Sequence, residues 1–424
     1  MPHVVARPHL AFVVDEEAVP RPQVIEHGRG VYSPDVGASG GYPARRVDGV
    51  VDAPEVDHGR DVERIGSRHA RNLAAARAGI QARRGRGVKG HRTVMRLFQI
   101  EGFRRQRKWE DGPLRVFVTG ATGYLGSAVV REFVAAGHEV TGLTRWAEQT
   151  LDVKALGARA VVGDLTSTDT FRKVAAAHDV LIHAAADHTA KRVVADRGAV
   201  EALLWAVRQR EREKGEPPRC VIYTSGCFSV GETGDAGADE DAPTDRAPEV
   251  VAWRSAHERA ILAAATEAVA TAVVRPGVLY GGGRGLIGDF FATAERDGAA
   301  AFVGDGANRW SAAYVGDVAR LYRLIAERRA RGIFHATEGA GTPVIELARA
   351  ASRAAGRDGA VRATPADAAR ERLGGLVDAL LLDQVVRSTR SERELGWRHE
   401  HPPFVESADA VYREWRESRA AAGA

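Results

Sequence analysis

Cysteine is almost missing from this chain: Cys220 and Cys227 are the only two among 424 residues. That excludes a disulfide framework and a cysteine-built metal site, and no metal is expected. Long apolar runs are missing as well. No stretch approaches the ~20 residues needed to span a bilayer. The opening MPHVVARPHLAFVVDEEAV turns acidic too soon after its short apolar patch to read as a secretory leader. A cytoplasmic protein with no membrane partner is expected. Apolar content of 44% and charged content of 27% are those of a globular protein.

Strong charge is also missing where it would matter. The chain carries +4 overall, but residues 1–112 hold 20 Lys and Arg against 14 Asp and Glu, which leaves residues 113–424 at −2. The basic character belongs to the N-terminal segment. That segment lacks any sustained period of 2 or 3.6, and Gly, Pro, Arg and His are scattered through Val36–Arg46 and Arg83–Arg92. Three readings compete: a disordered extension, a start assigned too far upstream of Met95, and a basic nucleic-acid arm. The last is the weakest, because the cluster has no interleaved aromatics, so nucleic acid is not the expected partner.

Regular structure begins at LRVFVTGATGYLG, Leu114 to Gly126. A short apolar run suited to a buried strand is followed by Gly120, Gly123 and Gly126 and then by a helical pattern. Glycines there allow a tight turn and let a diphosphate approach a helix N-terminus. Further strands are expected at Glu139–Thr144, Ala160–Val162, Val180–His183, Cys220–Tyr223 and Thr271–Val274. Helices lie between them, one of them over Val251–Thr266. Ser167 or Thr168 is expected to cap one of these helices, with Asp169 in its first turn. This rhythm predicts an α/β fold, a doubly wound parallel sheet with ligands at the carboxyl ends of its strands. Past Arg275 the rhythm loosens, and the pieces at Ala312–Val315, Ile333–Ala336 and beyond predict a smaller C-terminal substrate lobe. The expected division is 1–112 extension, 113–275 nucleotide-binding core and 276–424 lobe, interleaved with the core.

Six motifs then occur in order: TGATGYLG at Thr119–Gly126, GDL at Gly163–Leu165, HAAA at His183–Ala186, YTSG at Tyr223–Gly226, RPGVLYG at Arg275–Gly281 and YVGDVA at Tyr314–Ala319. With them the chain resembles the extended short-chain dehydrogenase/reductase superfamily, in its NAD(P)-dependent epimerase/dehydratase branch, over residues 114–416. The resemblance implies a Rossmann-type fold. It also implies that Gly120, Thr122, Gly123, Tyr124, Leu125 and Gly126 hold a pyrophosphate. Asp164 and Leu165 would hold the adenine edge, and Ala184, Ala185 and Ala186 would flank the nicotinamide-side ribose. At the end of the second strand Thr144 and Arg145 stand where NAD-preferring relatives place an acid. Guanidinium can pair with a 2′-phosphate, so NADP is expected over NAD; the bland alternative is a solvated loop cation.

The resemblance breaks at the catalytic pair. Where relatives carry Tyr-x-x-x-Lys, this chain reads WRSAHE, with Trp253 and, four residues on, His257. An indole has only an N–H donor and shuttles no proton, while His257 is of a residue type that can and can also be core packing beside Trp253. Ser225 matches the serine that orients the substrate oxygen. His188, Tyr280 and Tyr314 are further proton carriers, and Cys227 reads as a small buried hydrophobe. Two functions follow: an atypical oxidoreductase or epimerase acting on a carbonyl or alcohol of a small-molecule substrate, or a non-catalytic NADP-binding sensor. A homodimer is a further implication of the resemblance.

Overall fold

The computed structural model describes residues 112–187, 189–209 and 217–423. The chain divides into two units, Met1–Arg105 and Gln106–Ala424, and the account below concerns the second. The expected N-terminal extension up to residue 111, its Arg83–Arg92 cluster and His188 lie outside the described residues.

Seven parallel strands form the central sheet: β1 (Arg115–Thr119), β2 (Glu139–Thr144), β3 (Arg159–Val162), β4 (Val180–His183), β5 (Arg219–Thr224), β6 (Val269–Pro276) and β7 (Gly332–Ala336), in the order β7-β6-β5-β4-β1-β2-β3. In β1, Val116, Phe117 and Val118 are fully buried because helices cover both faces. On one face lie α1 (Tyr124–Ala135) and, from later in the chain, the helix Val315–Arg328; on the other lies α2 (Arg192–Arg208). Apolar stripes do this work: Leu125, Val129 and Phe133 of α1 and Val200, Leu203 and Val207 of α2 are all buried, with Leu204 half-buried beside them. Each such side chain contributes roughly 1.5–3 kcal/mol on leaving water.

Three expectations are corrected. The single helix over Val251–Thr266 is broken at Trp253 into Glu249–Ala252 and α3 (Arg254–Ala263). Neither Ser167 nor Thr168 caps a regular helix. The chain makes a tight turn at Thr168–Thr170 and a short helix at Arg172–Ala175, with no side-chain cap bond. The segment near Ile333 is not lobe but sheet: β7 pairs in parallel with β6 from Gly332↔Ala272 to Ala336↔Pro276. Phe334, fully buried, makes that placement favourable. The lobe proper keeps its own core of Phe290, Phe291, Trp310, Leu347, Phe404 and Trp415, built on α4 (Leu286–Asp297), α6 (Val344–Ala354) and α7 (Phe404–Gly423), with Val315–Arg328 as α5. Core and lobe lie within the one compact unit.

Candidate active site

A cleft of about 780 Å³ opens at the carboxyl ends of the strands, as the sheet topology dictates. The turn after β1 forms its floor, with Gly120, Thr122, Gly123, Tyr124 and Leu125. One wall comes from the ends of β2 and β3, through Arg145, Trp146 and Leu165. The ends of β4 and β5 supply Ala184, Ala185, Ala186 and Ser225 on the far side. Eleven of the residues singled out in the sequence therefore meet in one place; Gly126, Asp164, Trp253 and His257 do not line it.

The floor is shaped by two close approaches. Gly120 has φ +71°, and a Cβ there would lie 2.6 Å from Ala185 Cα. At Gly126 a Cβ would lie 2.0 Å from the Gly120 carbonyl oxygen. Gly126 thus acts by letting α1 pack against the turn, which corrects its expected place against the pyrophosphate. Gly123 is the N-cap of α1 and provides no side-chain cap. The first N–H groups of the helix are open to an anion, favoured there by the helix dipole.

At the end of β2, Thr144 is buried and its hydroxyl donates to Gln149 Oε1 at 2.8 Å. Arg145 stands next to it with two carboxylates: its Nη2 donates to Asp187 Oδ2 at 3.0 Å, and its Nε lies 3.4 Å from Asp164 Oδ2. Asp187 is held down at about 2, mainly by hydrogen bonds from Thr189 and then by Arg145. Asp164 is lowered chiefly by the hydroxyl and backbone N–H of Thr166, which bind its Oδ1 at 2.7 Å. Its carboxylate closes the local turn and faces Arg145, and its neighbour Leu165 lines the cleft.

At the other end Ser225 is only 7% exposed, and its Oγ has no hydrogen-bond partner among the described residues. The guanidinium of Arg254 enters the cleft beside it, Nη1 donating to the Thr224 carbonyl at 3.0 Å.

Comparison with known proteins agrees with this geometry. The model of the NAD dependent epimerase/dehydratase family matches residues 116–336. An uncharacterised protein of Schizosaccharomyces pombe is 30% identical over 300 residues, 69% of this chain and 97% of its own length. The chain belongs to the NAD-dependent epimerase/dehydratase family. It is also similar to a 3-diazoavenalumate denitrifying reductase of a Streptomyces species, at 28% identity over 69% of this chain and 98% of that one. Among solved structures, the UDP-glucose 4-epimerase of Thermus thermophilus in complex with NAD has a TM-score of 0.59 and 23% identity, covering 72% of this chain and 99% of that one. The family's cofactor is a nicotinamide dinucleotide, and the open end of α1 with its close glycine packing fits the diphosphate of one.

Within this family the chain's departures are now located. His257 is buried and points away from the cleft: its Nδ1 bonds Asp196 Oδ2 at 2.6 Å. Trp253 donates its indole N–H to the Val250 carbonyl at 3.0 Å and meets His257 edge-on at 5.3 Å. His257 packs toward α2, and of the residues between the two in sequence Arg254 reaches the cleft. Tyr280 is fully buried with its hydroxyl on the Pro402 carbonyl at 3.1 Å, and Tyr314 donates to Glu414 at 3.2 Å outside the cleft. Cys227 is buried as expected, its Sγ on the Arg275 carbonyl at 3.2 Å and its thiol pushed far up by burial. Tyr124 does line the cleft, but its hydroxyl donates to the Gly281 carbonyl at 2.5 Å, and burial holds the phenol above its usual value. Sequence reading missed Arg254, Trp146, Asp187 and Arg284; Asp187 directly follows HAAA, and Arg254 lies inside WRSAHE. Among the described residues no group of acidic, His or Cys side chains is arranged to hold a metal. No helix among them is long and apolar enough to cross a membrane.

Proposed function

We propose that this chain is an NADP-dependent oxidoreductase that acts on a carbonyl or alcohol carbon of a small molecule, sugar nucleotides being one candidate class. The observation that carries the reading is the Ser225 hydroxyl, buried and without a partner among the described residues, at the end of a cleft whose other end is Arg145. When bound, the nicotinamide supplies or takes up a hydride. The open end of α1 would hold the diphosphate, and Ala184–Ala186 would flank the adjoining ribose. Ser225 would donate to the substrate oxygen and orient it. A 2-alkyl-3-oxoalkanoate reductase and a 2'-dehydrokanamycin reductase are among the chain's relatives, which supports carbonyl chemistry.

NADP is favoured over NAD because no carboxylate ends β2, and Arg145 can pair with a 2′-phosphate. Arg145→Ala should weaken NADPH binding by about 10–100-fold and change NADH binding by less than about threefold, as expected for a lost charged hydrogen bond. Fluorescence titration with both cofactors measures this, and tighter NADH binding by the unaltered protein would reverse the preference. Activity is tested by following NADPH oxidation against aldehydes, ketones and keto-sugar nucleotides. NADPH binding with no turnover on any of them would make the chain a dinucleotide-binding protein without this chemistry.

A further inference from the structure

We propose that Arg254, together with Ser225, binds the substrate oxygen and carries the negative charge that develops on it, in the place where related enzymes use a tyrosine. The proposal rests on the carbonyl chemistry proposed above and adds the group that supports it.

Position comes first. Arg254 opens α3 immediately after the helix break at Trp253. Its guanidinium donates one N–H to the Thr224 carbonyl, on the residue before Ser225, and lies 4.7 Å from the centre of the Trp253 ring. That ring is itself fixed by the bond to Val250. Trp253 is thus a positioning residue, a cation–π platform under the guanidinium. Of the five N–H donors of arginine, one is used, and no other partner for the remainder is found among the described residues.

Charge comes second. One turn along α3, Glu258 is buried and is consumed by a two-point pair with Arg275, at 3.1 and 2.6 Å. Asp196, the other buried carboxylate nearby, is occupied by His183, His257 and Tyr223. Thr224, Pro276 and Leu279, which line the cleft around Ser225, are uncharged. Arg254 therefore brings to the cleft a guanidinium with no carboxylate bonded to it, its charge felt by Asp196 only at longer range, beside a buried hydroxyl with no partner among the described residues. Both groups can bond one oxygen.

The chemistry follows. When a carbonyl carbon gains a hydride, the π electron pair of the C–O bond moves onto oxygen and leaves an alkoxide. A preorganised cation stabilises that charge without reorganising. Guanidinium keeps its own protons, so the proton that completes the alcohol comes from water. In the oxidative direction water takes it back. This differs from a tyrosine, whose hydroxyl exchanges the proton directly, and it predicts a rate without a tyrosine-like ionisation.

The test separates substrate oxygen from cofactor ribose, the other group that a cation here could reach. Arg254→Met should lower kcat by about 10²–10³-fold, the usual cost of one oxyanion donor, while NADPH affinity stays within about threefold. R254K should recover part of the rate, and added guanidinium should partly rescue R254A. Acetate serves as an oxyanion probe that needs no turnover: calorimetry should show it binding the NADP⁺-loaded protein, and at least about tenfold more weakly to R254M. Equal acetate binding by both, none by the unaltered protein, or NADPH affinity falling as far as kcat would overturn the proposal. Acetate binding lost in R254M in a protein that reduces no carbonyl would uphold the oxygen site and sink the reductase reading instead.

Discussion

Asp196 is buried on α2, and both its oxygens are in use. His183 Nε2 bonds Oδ1 at 3.1 Å, while Tyr223 donates to Oδ2 at 2.9 Å and His257 Nδ1 bonds the same oxygen at 2.6 Å. Thr119, just before the first glycine, bonds the other nitrogen of His183 at 2.7 Å. Burial opposes ionisation of Asp196, and His183, His257 and Arg254 outweigh it, so its pKa is depressed in the fold. The unfolded chain then binds more protons than the folded one in acid. The carboxylate's contribution to stability is present above the unfolded value of about 4 and is lost as pH falls through the lower folded value. Asp196→Asn should cost about 2–4 kcal/mol at neutral pH and flatten the loss of melting temperature below about pH 4, measured by calorimetry across pH. Ser225→Ala, in contrast, should leave stability within about 1 kcal/mol and lower kcat by about 10–100-fold. These two readouts separate the buried network around Asp196 from the reacting end. The sequence could place Ser225 because a motif brackets it. It could not place Trp253 and His257. A helix turns ~100° per residue, and the unforeseen break at Trp253 decides which of three neighbours faces the cleft.

At the scale of elements, the strands were the most legible part of the chain. β2 and β4 match the expected bounds; β5 and β6 extend past theirs by one or two residues at each end. What periodicity could not tell was partnership. GIFHA reads alike as an edge of the lobe or as a seventh sheet strand, and only the route of the chain after α5 settles it. The turn from β1 into α1 carries the sharpest prediction. Gly126→Ala would set a methyl against the Gly120 carbonyl oxygen. The turn or the helix must shift, at about 1–3 kcal/mol. Differential scanning fluorimetry should show the lost stability and a NADPH titration the lost binding, although Gly126 itself lines no part of the cleft.

For the whole molecule, three apolar cores divide the work. Two lie on either face of the sheet, and a third belongs to the lobe. Phe133, fully buried under α5, should cost about 3–5 kcal/mol on truncation to alanine without touching the cleft. Lobe and cleft are tied at Glu414 of α7, which accepts the Gly282 N–H at 3.1 Å and the Tyr314 hydroxyl at 3.2 Å. Gly282 belongs to the glycine-rich loop that carries Arg284 over the cleft. Glu414→Ala should speed amide exchange in residues 281–285 while leaving β1 and α1 protected, as hydrogen-exchange mass spectrometry would show. The tie also sets an order in time. Gly282 and Glu414 are 132 residues apart, so at ~5–20 residues per second the ribosome finishes the loop about 7–26 seconds before the residue that fastens it. A nascent chain would acquire its nucleotide floor early and hold it under an unlatched rim, so cofactor present during synthesis could enter before that loop is fastened.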